Sequence, residues 1–107
     1  MYLIRRILKT QPGKAWEVAG YLSKVTEAYE RGGRNKAQIF VGGQGLPGEQ
    51  NIVYAEWTQA TIEQTDRETI PEDVFKISAK MNPLLTEYTI EFFDLVSPEK
   101  LKARGLA

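Results

Sequence analysis

The residue with most to say about chemistry is Arg6. It stands in an opening apolar segment, Tyr2–Lys9, flanked at alternate positions by Ile4 and Leu8. In a strand, alternate residues share a face, so Arg6 is expected among aliphatic side chains. A guanidinium withdrawn from water must meet an anion or an acid, because a bare buried charge is costly. Two readings follow. Arg6 anchors a carboxylate or enolate in a cleft between sheet and helices, or it sits near the strand end and pairs with Asp73 or Asp94. Trp57, at the end of a later strand, can line the same cleft and stack on a planar ligand, or simply fill core. Glu56, Glu91, Arg5 and Tyr54 fall on the opposite face. Two neighbouring carboxylates there could split their pKa values for acid–base work, or form an ion-pair network with Arg5.

The missing residues narrow the chemistry further. The chain has neither histidine nor cysteine. Zinc sites of the Cys/His type, haem held by a His or Cys ligand, and Ser-His or Cys-His nucleophilic pairs are excluded. No metal and no cofactor is expected. Any metal site would need carboxylates, carbonyls and water, hence a hard ion. Charges balance at 14 basic against 14 acidic residues, so no global field favours nucleic acid or a membrane surface. Met1–Lys9 lacks the apolar run of a signal peptide, and no segment is long and apolar enough to span a bilayer. The expected location is cytoplasmic.

Three motifs resemble sites by letter only. Gly43-Gln44-Gly45-Leu46-Pro47-Gly48 matches G-x-G-x-x-G but joins two predicted strands and opens no helix, so no helix N-terminus faces a phosphate. Arg31-Gly32-Gly33-Arg34 is a single unit at a helix end and reads as a C-cap flanked by cations. Glu63, Asp66, Glu68, Glu72 and Asp73 read as a solvated helix junction.

The elements that must position these residues alternate legibly through the 107 residues, about one domain's worth. Tyr2–Lys9 is a strand. Pro12 suits a first helical turn, and Ala15, Val18, Leu22, Val25 and Tyr29 form one stripe of a helix over Lys14–Arg31, ended by Gly32-Gly33. Lys36–Gly43 and Asn51–Thr58 form a hairpin. Thr58 caps a short helix over Ala60–Asp66. A second long helix runs from near Pro71 to Met81, with Val74, Ile77 (or Ser78) and Met81 inward, until Asn82-Pro83 stops it. Thr86–Val96 is the last strand. Ser97-Pro98-Glu99 caps a tail helix that ends at Gly105. The order β-α-β-β-α-β is that of a ferredoxin-like α+β fold, with an antiparallel sheet whose first and third strands are central. The domain spans 1–96, with 97–107 as C-terminal helix and tail.

The two faces of that sheet differ. Ile4, Arg6, Leu8, Ala37, Ile39, Val41, Val53, Ala55, Trp57, Tyr88, Ile90 and Phe92 form an apolar set assigned to the helix side. The other set mixes Arg5, Glu56 and Glu91 with Phe40, Ile52, Tyr54, Phe93 and Leu95. A solvated face should be polar, and this one carries too much apolar area to stay wet. A second copy packing sheet against sheet is the expected solution, a two-fold homodimer. The alternative is a monomer with an apolar sheet surface.

The stretch Arg6-Ile7-Leu8-Lys9-Thr10-Gln11-Pro12-Gly13-Lys14 resembles the NIPSNAP-like pattern, an arginine in the first strand followed by Pro-Gly-Lys before the first helix. Val53-Tyr54-Ala55-Glu56-Trp57-Thr58, with the predicted Ala60–Asp66 helix and Glu72-Asp73-Val74-Phe75-Lys76 beyond it, resembles the antibiotic biosynthesis monooxygenase (ABM-like) branch. Both lie in the dimeric α+β barrel superfamily, and the resemblance implies that fold. Haem-degrading relatives of that branch carry an asparagine on the first strand, a tryptophan on the third and a histidine on the second long helix. Trp57 matches the tryptophan. Arg6 stands at the asparagine and Ala79 at about the histidine, so the resemblance argues against haem degradation. It leaves open cofactor-free oxygenation of polyphenols, where the substrate supplies the electrons and must sit in a dry pocket.

The expected site is a cleft between sheet and helices, lined by Arg6, Trp57, Phe75, Tyr88 and Tyr21, that takes a small planar or anionic molecule. The alternative is a cofactor-independent monooxygenase or isomerase of the antibiotic-biosynthesis type, and a third is a scaffold with no pocket. The residues do not choose between binding module and enzyme, since no general base is evident.

Overall fold

A computed structural model describes residues 1–62 and 70–107. The elements are β1 (Tyr2–Thr10), α1 (Ala15–Arg31), β2 (Gln38–Gly42), β3 (Ile52–Gln59), α2 (Glu72–Met81), a 3-10 turn over Asn82–Leu84, β4 (Leu85–Asp94) and α3 (Pro98–Ala103). The sheet order is β2-β3-β1-β4 and every pairing is antiparallel, which gives the ferredoxin-like α+β fold with β1 and β3 in the middle.

Local sequence explains most boundaries. Gln11-Pro12-Gly13 is a turn ahead of α1, not its first turn as predicted. Gly13 takes a φ of +77°, and its N–H donates to Asn51 Oδ1, tying this turn to the start of β3. At the far end of α1, Gly33 turns left-handed, and the Arg34 N–H returns to the Tyr29 carbonyl at 3.2 Å. Ser97 Oγ accepts from the Lys100 N–H and caps α3.

Two expectations need correction. Thr58 does not cap a helix; it lies within β3, and Ala60–Ile62 form no helix. The rest of the predicted Ala60–Asp66 helix, with Glu63, Asp66 and Glu68, lies outside the described residues. The helix-side set is also not uniformly covered. Helix α1 packs on β2, β3 and β1, and α2 packs on α1. Beneath them Ile4, Leu8, Val53 and Ala55 are buried with Val18 and Leu22. Tyr88, Ile90 and Phe92 point to that same side from β4 and remain exposed, because β4 is an edge strand beyond the reach of α1. No helix among the described residues is long and apolar enough to cross a membrane.

Candidate functional site

Helix α1 packs mainly on β2 and β3, α2 packs on α1, and a gap remains between the two helices and β4. The gap is a cleft of about 550 Å³. Its inner wall is apolar, from Leu22 and Val25 of α1, Val74 and Met81 of α2, and Leu85. Thr26, Ser78 and Asn82 add neutral polar groups, and Arg6, Arg34, Tyr29, Glu87 and Tyr88 also line it.

Arg6 enters from β1, opposite Ala55 on one side and Ile90 on the other. Its Nη1 donates to Tyr88 Oη. Its Nε is buried and meets no acceptor among the described residues. Neither acid proposed as its partner reaches it: Asp73 pairs with Arg31 at 3.7 Å, and Asp94 pairs with Lys100. Among the described residues no carboxylate forms an ion pair with Arg6. Burial pushes the Arg6 guanidinium below its ordinary pKa, with the nearby Tyr29 acting the other way.

Arg34 joins Arg6 because the chain folds back after α1. Its guanidinium carbon lies 3.7 Å from the centre of the Tyr29 ring and 4.6 Å from that of Trp57. Arg6 is 5.6 Å from Trp57 and 5.7 Å from Tyr88. The order Tyr29, Arg34, Trp57, Arg6, Tyr88 is thus a ladder of alternating aromatic rings and cations. Burial, and then the charge of Arg6, lower the Arg34 pKa, while Tyr29 raises it.

Of the five expected residues, Arg6 and Tyr88 line the cleft together. Trp57 is buried beside Ile4, its Nε1 donating to Gln59 Oε1 at 3.0 Å, and it supports the guanidiniums from behind. Phe75 and Tyr21 stand outside the lining. Phe75 follows the inward Val74 by one residue, about 100° around the helix, and is exposed. Tyr21 precedes Leu22 by the same angle and packs against the Leu8 cluster. Arg34 and Tyr29 were not among the expected site residues. Tyr29 read as part of a buried stripe and Arg34 as a cation at a helix end. Their signal was the Gly32-Gly33 turn, which brings Arg34 back onto the last turn of α1.

On the opposite sheet face, Arg5 Nε donates to Glu56 Oε1 at 2.6 Å, and its guanidinium lies 4.9 Å from the centre of the Phe93 ring. That is an ion pair laid over aromatics.

No known family profile matches the chain, and no curated protein matches it significantly in sequence. Solved structures do match in shape. A NIPSNAP domain protein from Burkholderia xenovorans superposes with a TM-score of 0.67 at 13% identity, covering 92% of this chain and 97% of its own. An antibiotic biosynthesis monooxygenase superposes at 0.58 with 18% identity, covering 91% of this chain and 100% of its own. SnoaB, a cofactor-independent oxygenase from Streptomyces nogalater, superposes at 0.56 with 10% identity, covering 90% and 93%. The chain therefore has the fold shared by NIPSNAP and antibiotic-biosynthesis-monooxygenase proteins, the two groups its sequence resembles. At these identities the likeness establishes the fold and no activity.

Proposed function

We propose that the protein is a cytoplasmic homodimer whose subunits each bind a small organic anion in the cleft, with Arg6 as anchor. The observation that carries this reading is Arg6, which lines the cleft while its buried Nε finds no acceptor among the described residues. Buried donors are almost always satisfied, so a guanidinium that lines a cleft and keeps one donor unsatisfied suits a ligand's oxygen. The apolar wall and aromatic rim suit a planar body attached to that oxygen.

Titration calorimetry with benzoate and hydroxybenzoates tests the reading. Arg6→Ala should weaken binding by about 2–3 kcal/mol, or roughly 30- to 150-fold. Equal affinity in wild type and variant, or no binding by any aromatic carboxylate, refutes it.

The likeness to SnoaB favours a second reading, a cofactor-independent oxygenase in which Arg6 holds a phenolate while the substrate itself reduces dioxygen. The same titration, repeated with polyphenols in an oxygen electrode, should then show uptake that depends on Arg6. Binding without uptake leaves the first reading alone.

The dimer belongs to the same proposal. The chain is a slab of 48 × 38 × 18 Å with an accessible surface of 7326 Å². A compact monomer of this mass should expose about 6,000 Å². The excess is larger than the ~800 Å² each partner buries in a standard interface. Phe40, Phe93 and Leu95, all exposed on the face away from the helices, supply the apolar contact.

A further inference from the structure

The cleft does not close at Tyr88. Tyr88, Ile90 and Phe92 form one row on β4, opposite Leu8, Arg6 and Ile4 of β1. On β1 the flanking aliphatics are sealed, with Leu8 0% and Ile4 1% exposed. One strand over, Tyr88 and Ile90 are 44% exposed and Phe92 38%. The row runs about 14 Å along the strand at ~3.4 Å per residue. It is continuous with the cleft, because Tyr88 both lines the cavity and starts the row. Arg6 stands beside it on β1, opposite Ile90, and reaches along the row to bond Tyr88.

Three side chains on an edge strand offer far less than the ~800 Å² per partner that a stable protein interface buries. They are enough for one hydrocarbon tail. We infer that the ligand is an elongated amphipathic anion, an alkyl or acyl carboxylate. Its head sits at Arg6 and its tail lies along Ile90 and Phe92. The inference rests on the anion site proposed above and adds the class of molecule that site accepts.

The test is a calorimetric series of hexanoate, octanoate, decanoate and dodecanoate, each below its micelle concentration, with benzoate as the head-only probe. Affinity should rise roughly three- to fourfold per methylene until the tail passes Phe92, and then level off. The double variant Ile90→Ser/Phe92→Ser should flatten the rise, while Arg6→Ala should weaken every member by a common factor. Phe92→Ser alone serves if the double variant does not fold. A flat series in wild type, with benzoate still bound through Arg6, overturns the tail but leaves the anion site standing. Failure of both benzoate and the alkyl series removes both. A slope that survives Ile90→Ser/Phe92→Ser places the tail elsewhere and overturns the inference. So does light scattering that shows the same variant splitting a dimer, because a second copy would then cover the row.

Discussion

Arg6 is a residue whose position costs stability. Its folded-state pKa is lowered by burial, so the folded protein holds that proton less tightly than the unfolded chain does. For a base shifted this way, the cost is present at every pH below the lowered pKa and disappears only as pH rises past the unfolded value. Across neutral pH the penalty is constant, so a bound anion, rather than a pH change, is what relieves it. Replacing a largely desolvated guanidinium that no carboxylate among the described residues neutralises by an apolar side chain of similar length removes that desolvation cost. Arg6→Met should therefore leave the urea midpoint unchanged or raise it, by up to about 1 kcal/mol in ΔG, while ligand binding is lost. A loss of more than about 2 kcal/mol would mean that Arg6 is a structural keystone, its bond to Tyr88 outweighing its burial.

Among the elements, the β2–β3 hairpin shows how closely backbone approach and turn chemistry are linked. Gly43 has a φ of +72°, and a Cβ there would meet Gln50 Cα at 2.8 Å and Glu49 O at 3.1 Å. Gly45 has a φ of +88°, and a Cβ there would meet nothing within 4 Å. Both substitutions carry the left-handed penalty, but only one also forces backbone apart. Gly43→Ala should therefore destabilise the protein more than Gly45→Ala, by about 1–3 kcal/mol beyond the conformational cost they share, in paired denaturant melts. Equal losses would show that the hairpin relaxes freely. The hairpin matters to the site because its second strand, β3, carries Trp57 opposite Ile4, behind Arg6.

At the scale of the whole molecule, the sheet has two unsatisfied regions with different meanings. The face carrying Phe40, Phe93 and Leu95 is broad and crosses from β2 to β4, as a partner subunit requires. The row on the other face of β4 is narrow and opens from a cationic cleft. Light scattering should give twice 12.1 kDa, and Phe93→Glu should shift the population toward monomer at micromolar concentration without unfolding it. A wild-type monomer at that concentration would remove the dimer. A Phe93→Glu variant that stays fully dimeric would move the interface to another surface.

Periodicity and turn residues made the strands, both long helices, the strand order and the two faces of the sheet legible in advance. Those features depend on residues near one another in the chain: alternation in Tyr2–Lys9, the Ala15–Tyr29 stripe, Asn82-Pro83. Arg6 stood out for the same reason, a charge inside an apolar alternation. What only the tertiary structure decided was distance between elements. The expectation that helices would roof the whole apolar face failed at β4 because the lateral seat of α2 depends on its packing against α1, which no local pattern encodes. The same gap opened the cleft, brought Arg34 and Tyr29 into it, and left Phe75 and Tyr21 outside. Helical angle determines which side a residue points to, but what it meets there depends on how elements pack across space.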